Sequence, residues 1–166
     1  MSAPPFRILF VCLGNICRSP AAHAVMQAMV EKADLSQHIQ VDSAGTAGWH
    51  TGKMPDDRMR RAGQTRGYRL DHPARQFLAA DLARHDLILA MDCANRRDIL
   101  ALDPENLFSQ KVRLFCEFCT QHEEAEVPDP YYGGPEGFEH VLDLIEDGCR
   151  GILQEAKRHL PDGGGS

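Results

Sequence analysis

At 166 residues the chain has room for one domain with a sizeable core and needs neither disulfide nor metal to hold it. A hydrophobic fraction of 43% beside 25% charged residues reads as soluble and globular. The formal charge of -6 excludes a broad nucleic-acid footprint, because binding along a phosphate backbone needs a concentrated Lys/Arg surface. Any anion site must therefore be local. The apolar run Ile8–Leu13 is too short to span a bilayer, and no basic leader with a small-residue cleavage site precedes it, so a cytoplasmic protein without a membrane partner is expected. Six cysteines are sparse for a disulfide framework and no export signal accompanies them, so reduced thiols are expected.

In chain order, residues 1–5 and 161–166 are expected to be flexible ends around a core of about 6–160, and the whole of 1–166 is expected to be a single domain. Arg7–Val11 predicts a buried strand, after which Ser19-Pro20 opens a helix that continues over Ala21–Lys32. Ile39–Ser43 predicts a second strand and Pro55–Arg66 a second helix. Leu87–Met91 predicts a third strand, Asn95–Leu102 a short helix stopped near Pro104, and Val112–Phe115 a last strand. From Phe138, the residues Val141, Leu142, Ile145, Cys149, Ile152, Leu153 and Ala156 keep helical spacing and predict a long amphipathic closing helix. Buried strands alternating with helices predict an α/β fold, a doubly wound four-stranded parallel sheet flanked by helices. Ligands of such sheets sit beyond the strand C-termini, where the segment after the first strand would lie.

That segment is Cys12-Leu13-Gly14-Asn15-Ile16-Cys17-Arg18-Ser19. A tight loop between strand and helix turns backbone N–H groups inward, and the helix N-terminus adds partial positive charge, so a phosphate dianion has a prepared seat. Gly14 is expected to relax the backbone where the loop curls. Arg18 adds a guanidinium able to grip two phosphate oxygens. The same field favours a thiolate at Cys12, the nucleophilic form of cysteine. A Walker loop is excluded by the missing Gly-Lys-Ser/Thr ending. Asp129, in Pro128-Asp129-Pro130-Tyr131-Tyr132, reads by itself as either a plain turn residue or a carboxylic acid held by the flanking prolines. Trp49, Tyr131 and Tyr132 are either loop packing or aromatic walls for a flat aryl group. Asp92 is either a residue at the rim of the slot or behind its lining, or a helix N-cap.

With Cys12 to Pro20, the chain also carries Asp42-Ser43-Ala44-Gly45-Thr46, Trp49-His50 followed by Pro55-Asp56 and Arg58, His72-Ala74-Arg75-Gln76, Ala90-Met91-Asp92 and the Asp129 segment. In that order, over nearly its whole length, it resembles the low-molecular-weight protein tyrosine phosphatase family. The resemblance implies Cys12 as nucleophile, Arg18 as phosphate ligand and Asp129 as general acid. It implies a phosphate cradle of Leu13, Gly14, Asn15, Ile16, Cys17 and Ser19, a polar shell in which Ser43 and His72 join Asn15 and Ser19, and a slot lined by Trp49 and Tyr131. No cofactor and no metal are implied; the expected partners are phosphotyrosine proteins, with inorganic phosphate and vanadate as inhibitors.

Two features depart from the family pattern. His23 stands where an acidic residue is usual, which leaves the local charge open. Cys116-Glu117-Phe118-Cys119 with His122 offers only three ligands where a structural zinc site wants four, so core or surface thiols are expected. Two rival functions remain. An arsenate reductase on the same fold would need a cysteine relay, but Cys93 stands alone after the third strand. A silent phosphotyrosine-binding module would need none of the nucleophile chemistry. Cys17 is either a small apolar residue at a helix start or the partner that captures oxidised Cys12 as a disulfide, and the resemblance favours the second.

Overall fold

Four apolar runs pair into one parallel sheet: β1 (Phe6–Cys12), β2 (Ile39–Gly45), β3 (Leu87–Ala90) and β4 (Val112–Leu114), in the spatial order β2-β1-β3-β4. The computed structural model describes residues 3–161; of the expected flexible ends 1–5 and 161–166, residues 1–2 and 162–166 lie outside the described residues. β1 and β3 are the inner strands and are covered on both faces, which is why their sequences are continuously apolar rather than alternating. Successive residues still serve opposite faces. Ile8, Phe10 and Cys12 join one apolar cluster, while Leu9 and Val11 join the other.

The first cluster is closed by α1 (Arg18–Lys32), α2 (Asp57–Thr65) and α5 (Pro135–Arg158), through residues such as Val25, Met59 and Ile145. The second is closed by α3 (Ala80–Arg84) and α4 (Cys93–Leu100), through Leu82 and Ile99. Helices on both faces make the sheet doubly wound, as the alternation predicts. The chain leaves β1 for β2 on one side and later returns to β3 on the other, so the switch of winding falls at the C-terminal end of β1. Cys12 is the last residue of that strand.

Three predicted helices shift, each for a local reason. α2 starts at Asp57, not Pro55, because the Asp56 carboxylate accepts the Arg58 N–H at 2.8 Å and caps it. α4 starts at Cys93, not Asn95, because Asp92 accepts the Asn95 N–H at 2.7 Å. α5 opens at Pro135, one turn before Phe138, with proline where no intrahelical N–H partner exists. The third strand ends at Ala90, and Phe115 leaves the last strand to begin a 3-10 turn, Phe115–Phe118.

α5 packs closely over that turn: a Cβ at Gly148 would overlap the Phe115 ring. Next to it, the fully buried Asp147 carboxylate accepts the Thr120 and Gln121 N–H groups at 2.9 Å each and pairs with His122 Nδ1 at 2.8 Å. These bonds anchor the stretch that runs on to Asp129. In the sulfur cluster of the sequence, Cys116 and Cys119 lie within hydrogen-bonding reach of each other, the Cys119 thiol also meets the Leu144 carbonyl, and His122 turns to Asp147. Among the described residues, no helix is long and apolar enough to cross a membrane.

Candidate active site

The loop between β1 and α1 is held open from outside. Thr46 N–H donates to the Cys12 carbonyl and Ala47 N–H to that of Leu13, both at 2.9 Å; Asp56 N–H donates to the Ile16 carbonyl at 2.8 Å. Carbonyls drawn outward turn the intervening N–H groups toward the concave side, and one contact is direct: Asn15 N–H donates to Cys12 Sγ at 3.3 Å. The left-handed residue is Asn15, φ 57°, and not Gly14 as the sequence suggests. Gly14 is needed for space: a Cβ there would come 2.9 Å from His50 Cδ2.

Asn15 is buried and its amide is fully used, Nδ2 donating to Ser19 Oγ at 2.7 Å while Oδ1 accepts the Arg75 N–H at 3.0 Å. Ser19 Oγ in turn lies 3.0 Å from Cys12 Sγ and 3.4 Å from the Ala44 carbonyl. With Asn15 Nδ2 donating to one lone pair of Ser19 Oγ, the hydroxyl proton is free to be donated, and a thiolate at Cys12 is the nearer acceptor.

Arg18 is 3% exposed, yet its charge is matched. Nη1 donates to Asp92 Oδ2 at 2.7 Å and to the Val127 carbonyl at 3.0 Å, and Nη2 lies 3.7 Å from Asp129 Oδ2. Burial acts to lower its pKa, but Cys12, Asp92 and Asp129 together outweigh burial and hold it above the ordinary value. Asp92 fills both roles that the sequence left open, because one oxygen caps α4 while the other fixes the guanidinium. Asp129 is half-exposed; Oδ1 accepts the Tyr131 N–H at 3.1 Å, which leaves Oδ2 facing Arg18.

Cys12, Leu13, Gly14, Ile16, Cys17 and Arg18 form the floor and sides of a cavity of about 240 Å³, and Trp49, His50, Asp129, Tyr131 and Tyr132 form its rim. Tyr131 and Tyr132 meet edge to face at 4.9 Å, and the Arg58 guanidinium lies 5.3 Å over the Tyr131 ring. His50, which lines the cavity, and Arg58, which backs Tyr131, belong to the motifs seen in the sequence, but nothing in their spacing marks them for these places.

Ser43 and His72, expected in the polar shell of the loop, are engaged by His23 and Asp42. Among the described hydrogen bonds neither reaches Asn15 or Ser19; the Ser43 hydroxyl lies 3.0 Å from His23 Nδ1, and His72 Nε2 lies 3.4 Å from Asp42 Oδ1. The residue that supports Asn15 is Arg75, whose side chain is clamped by Asp42 and by the buried Asp81. Burial and the adjacent His72 push His23 down to about 4, so this position carries no charge at neutral pH. Burial, with Asp56 and Cys12, pushes the Cys17 thiol up.

With this geometry, comparisons with known proteins agree. The model of the low molecular weight phosphotyrosine protein phosphatase family matches residues 7–161. A relative from Synechocystis is 51% identical over 154 residues, covering 93% of this chain and 98% of that one. A low molecular weight protein-tyrosine-phosphatase of Streptomyces coelicolor is 42% identical over 157 residues, 93% of this chain and 96% of that one. The crystal structure of a protein tyrosine phosphatase from Entamoeba histolytica superposes with a TM-score of 0.89 at 42% identity, covering 92% of this chain and 97% of that one. The chain belongs to the low molecular weight phosphotyrosine protein phosphatase family.

Proposed function

We propose that this chain hydrolyses phosphotyrosine in proteins, and other aryl phosphates, through a phosphocysteine on Cys12. The observation that carries the reading is the meeting of two distant segments at one cavity, the loop from Cys12 to Arg18 and the segment of Asp129, with Arg18 Nη2 and Asp129 Oδ2 3.7 Å apart. The loop amides and the free edge of Arg18 take the three non-bridging oxygens, and charge spread over those oxygens in the transition state meets donors already in place. Cys12 thiolate then attacks phosphorus in line. The S–P bond forms as the P–O bond to the aryl group breaks, and Asp129 Oδ2 gives its proton to the departing phenolate. In the second step ionised Asp129 takes a proton from water, the water oxygen attacks phosphorus, and the S–P bond breaks to release inorganic phosphate and the thiolate.

Trp49, Tyr131 and Tyr132 at the rim suit a flat ring, and the depth of the floor below them selects phosphotyrosine over the shorter phosphoserine and phosphothreonine. Inorganic phosphate and vanadate then compete for the same donors. The thiolate also makes the enzyme redox-sensitive, and a cytoplasmic setting keeps it reduced. The relatives favour this reaction over arsenate reduction or silent phosphotyrosine binding. The test is a panel of an aryl phosphate and phosphotyrosine, phosphoserine and phosphothreonine peptides, assayed with a chelator present. Release of phosphate from the aryl esters alone supports the reading. Arsenate reduction without ester hydrolysis overturns it.

A further inference from the structure

Behind the phosphate loop, His23 from α1, Asp42 from β2 and His72 from the segment after α2 bring one ligand atom each to within 4.8 Å of one another. We propose that these three side chains bind a divalent late first-row cation, Zn²⁺ in the first instance, at a site separate from the phosphate loop. Two imidazoles and a carboxylate are the donor set that borderline cations take, with a fourth position left to water. Bonds of about 2.0–2.1 Å in a tetrahedron put ligand atoms roughly 3.3–3.4 Å apart. His72 Nε2 and Asp42 Oδ1 already stand at 3.4 Å, and the rings of His23 and His72 are neighbours, centroids 4.7 Å apart and planes tilted by 51°.

The surrounding shell fits as well. When His23 offers Nε2 to the cation, its Nδ1–H donates to Ser43 Oγ at 3.0 Å, a bond that fixes both tautomer and ring plane. Asp42 Oδ2 is held by Arg75 Nε and Nη2 at 3.2 and 3.0 Å, so Oδ1 is the oxygen turned to the imidazoles. His72 turns Nε2, the nitrogen that would ligate, toward Asp42 Oδ1. A cavity of about 320 Å³ leads to both histidines past Glu31 and the Arg69–Asp71 pair, which gives an entry path. None of the three ligands lines the cavity over Cys12. Six free thiols make sulfur the competing ligand, so the experiment has to separate nitrogen from sulfur.

The metal-free full chain is titrated with Co²⁺ and followed by absorption, since thiolate ligation adds an intense near-ultraviolet charge-transfer band that nitrogen and oxygen ligation lack. The expected result is one equivalent bound with ligand-field bands only, retained in Cys12→Ser. In His23→Gln and in His72→Gln the affinity should fall by more than the roughly 10–100-fold typical of losing a second-shell partner. Far-UV circular dichroism checks that the variants fold. For the parent chain, Zn²⁺ added during imidazole NMR should move the ring signals of His23 and His72 first, a readout that needs no variant. No binding, a sulfur charge-transfer band, loss of binding in Cys12→Ser, or unchanged affinity in folded histidine variants each overturns the proposal.

Discussion

Alanine at position 15 removes both hydrogen bonds of the Asn15 amide and leaves a residue with a Cβ at φ 57° without the polar compensation that asparagine has. Left-handed backbone costs an ordinary L residue about 1–2 kcal/mol, and each lost bond is worth about 0.5–1.5 kcal/mol net. Because asparagine already bears part of the backbone cost, Asn15→Ala should lose roughly 2–4 kcal/mol. Asn15→Gly loses the same bonds but accepts the φ, at an unfolded-state entropy of about 0.4–1 kcal/mol, and should be the milder of the two. Urea denaturation gives both values, provided the slope is unchanged. Phosphate inhibition of the same variants reports the loop, because Ser19 loses the donor that fixes its hydroxyl; the inhibition constant should rise together with the fall in turnover. Stability within about 0.5 kcal/mol of the parent, with unchanged phosphate affinity, would refute the reasoning that Asn15 sets the loop's shape.

Asp129→Asn should slow esters with poor leaving groups by about 10²–10⁴, and nitrophenyl esters much less, since those leave without a proton; equal losses across leaving groups would make Asp129 structural. Burial acts to raise Asp147, but the bonds from Thr120, His122 and Gln121 hold it down at about 2, below the usual 3.8. Its contribution is therefore complete above the unfolded pKa and disappears as pH falls through about 2. Asp147→Asn should cost on the order of 2 kcal/mol in urea at neutral pH, with the gap to the parent closing as pH approaches 2; a pH-independent gap would reject it. Cys12 and Cys17 are both buried and line one cavity, so peroxide should leave a Cys12–Cys17 disulfide that dithiothreitol reverses. Cys17→Ser should then recover poorly; full recovery, with no linked peptide by mass spectrometry, would remove Cys17 as the resolving thiol.

What the sequence makes legible is what local chemistry decides. Ile8–Val11 and Leu87–Ala90 read as buried strands because both faces are covered and no polar residue interrupts them. Cys12, Arg18 and Ser19 are readable because strand, loop and helix start are contiguous in the chain. Helix starts slip where the cap rather than the apolar pattern decides, as at Asp56 and Asp92. The five-residue α3 carries too few periodic positions to be found. The support of Asn15 by Arg75 is not legible, because it depends on a clamp formed by Asp42 and Asp81 from opposite sides of the motif. For the same reason the partners of Ser43 and His72 are not legible, which are His23, an imidazole in place of an acid, and Asp42.

The claim on which the account rests is a covalent phosphocysteine at Cys12. It is tested most directly by mixing Asp129→Asn with an excess of a nitrophenyl phosphate, quenching in acid within the first turnover and mapping phosphate by mass spectrometry. In that variant the first step keeps an easy leaving group while the second lacks its base, so the intermediate should accumulate. The account predicts phosphate on the peptide that carries Cys12, and none there in Cys12→Ser. Turnover without any phosphorylated Cys12 peptide, or phosphate on another residue, would contradict it.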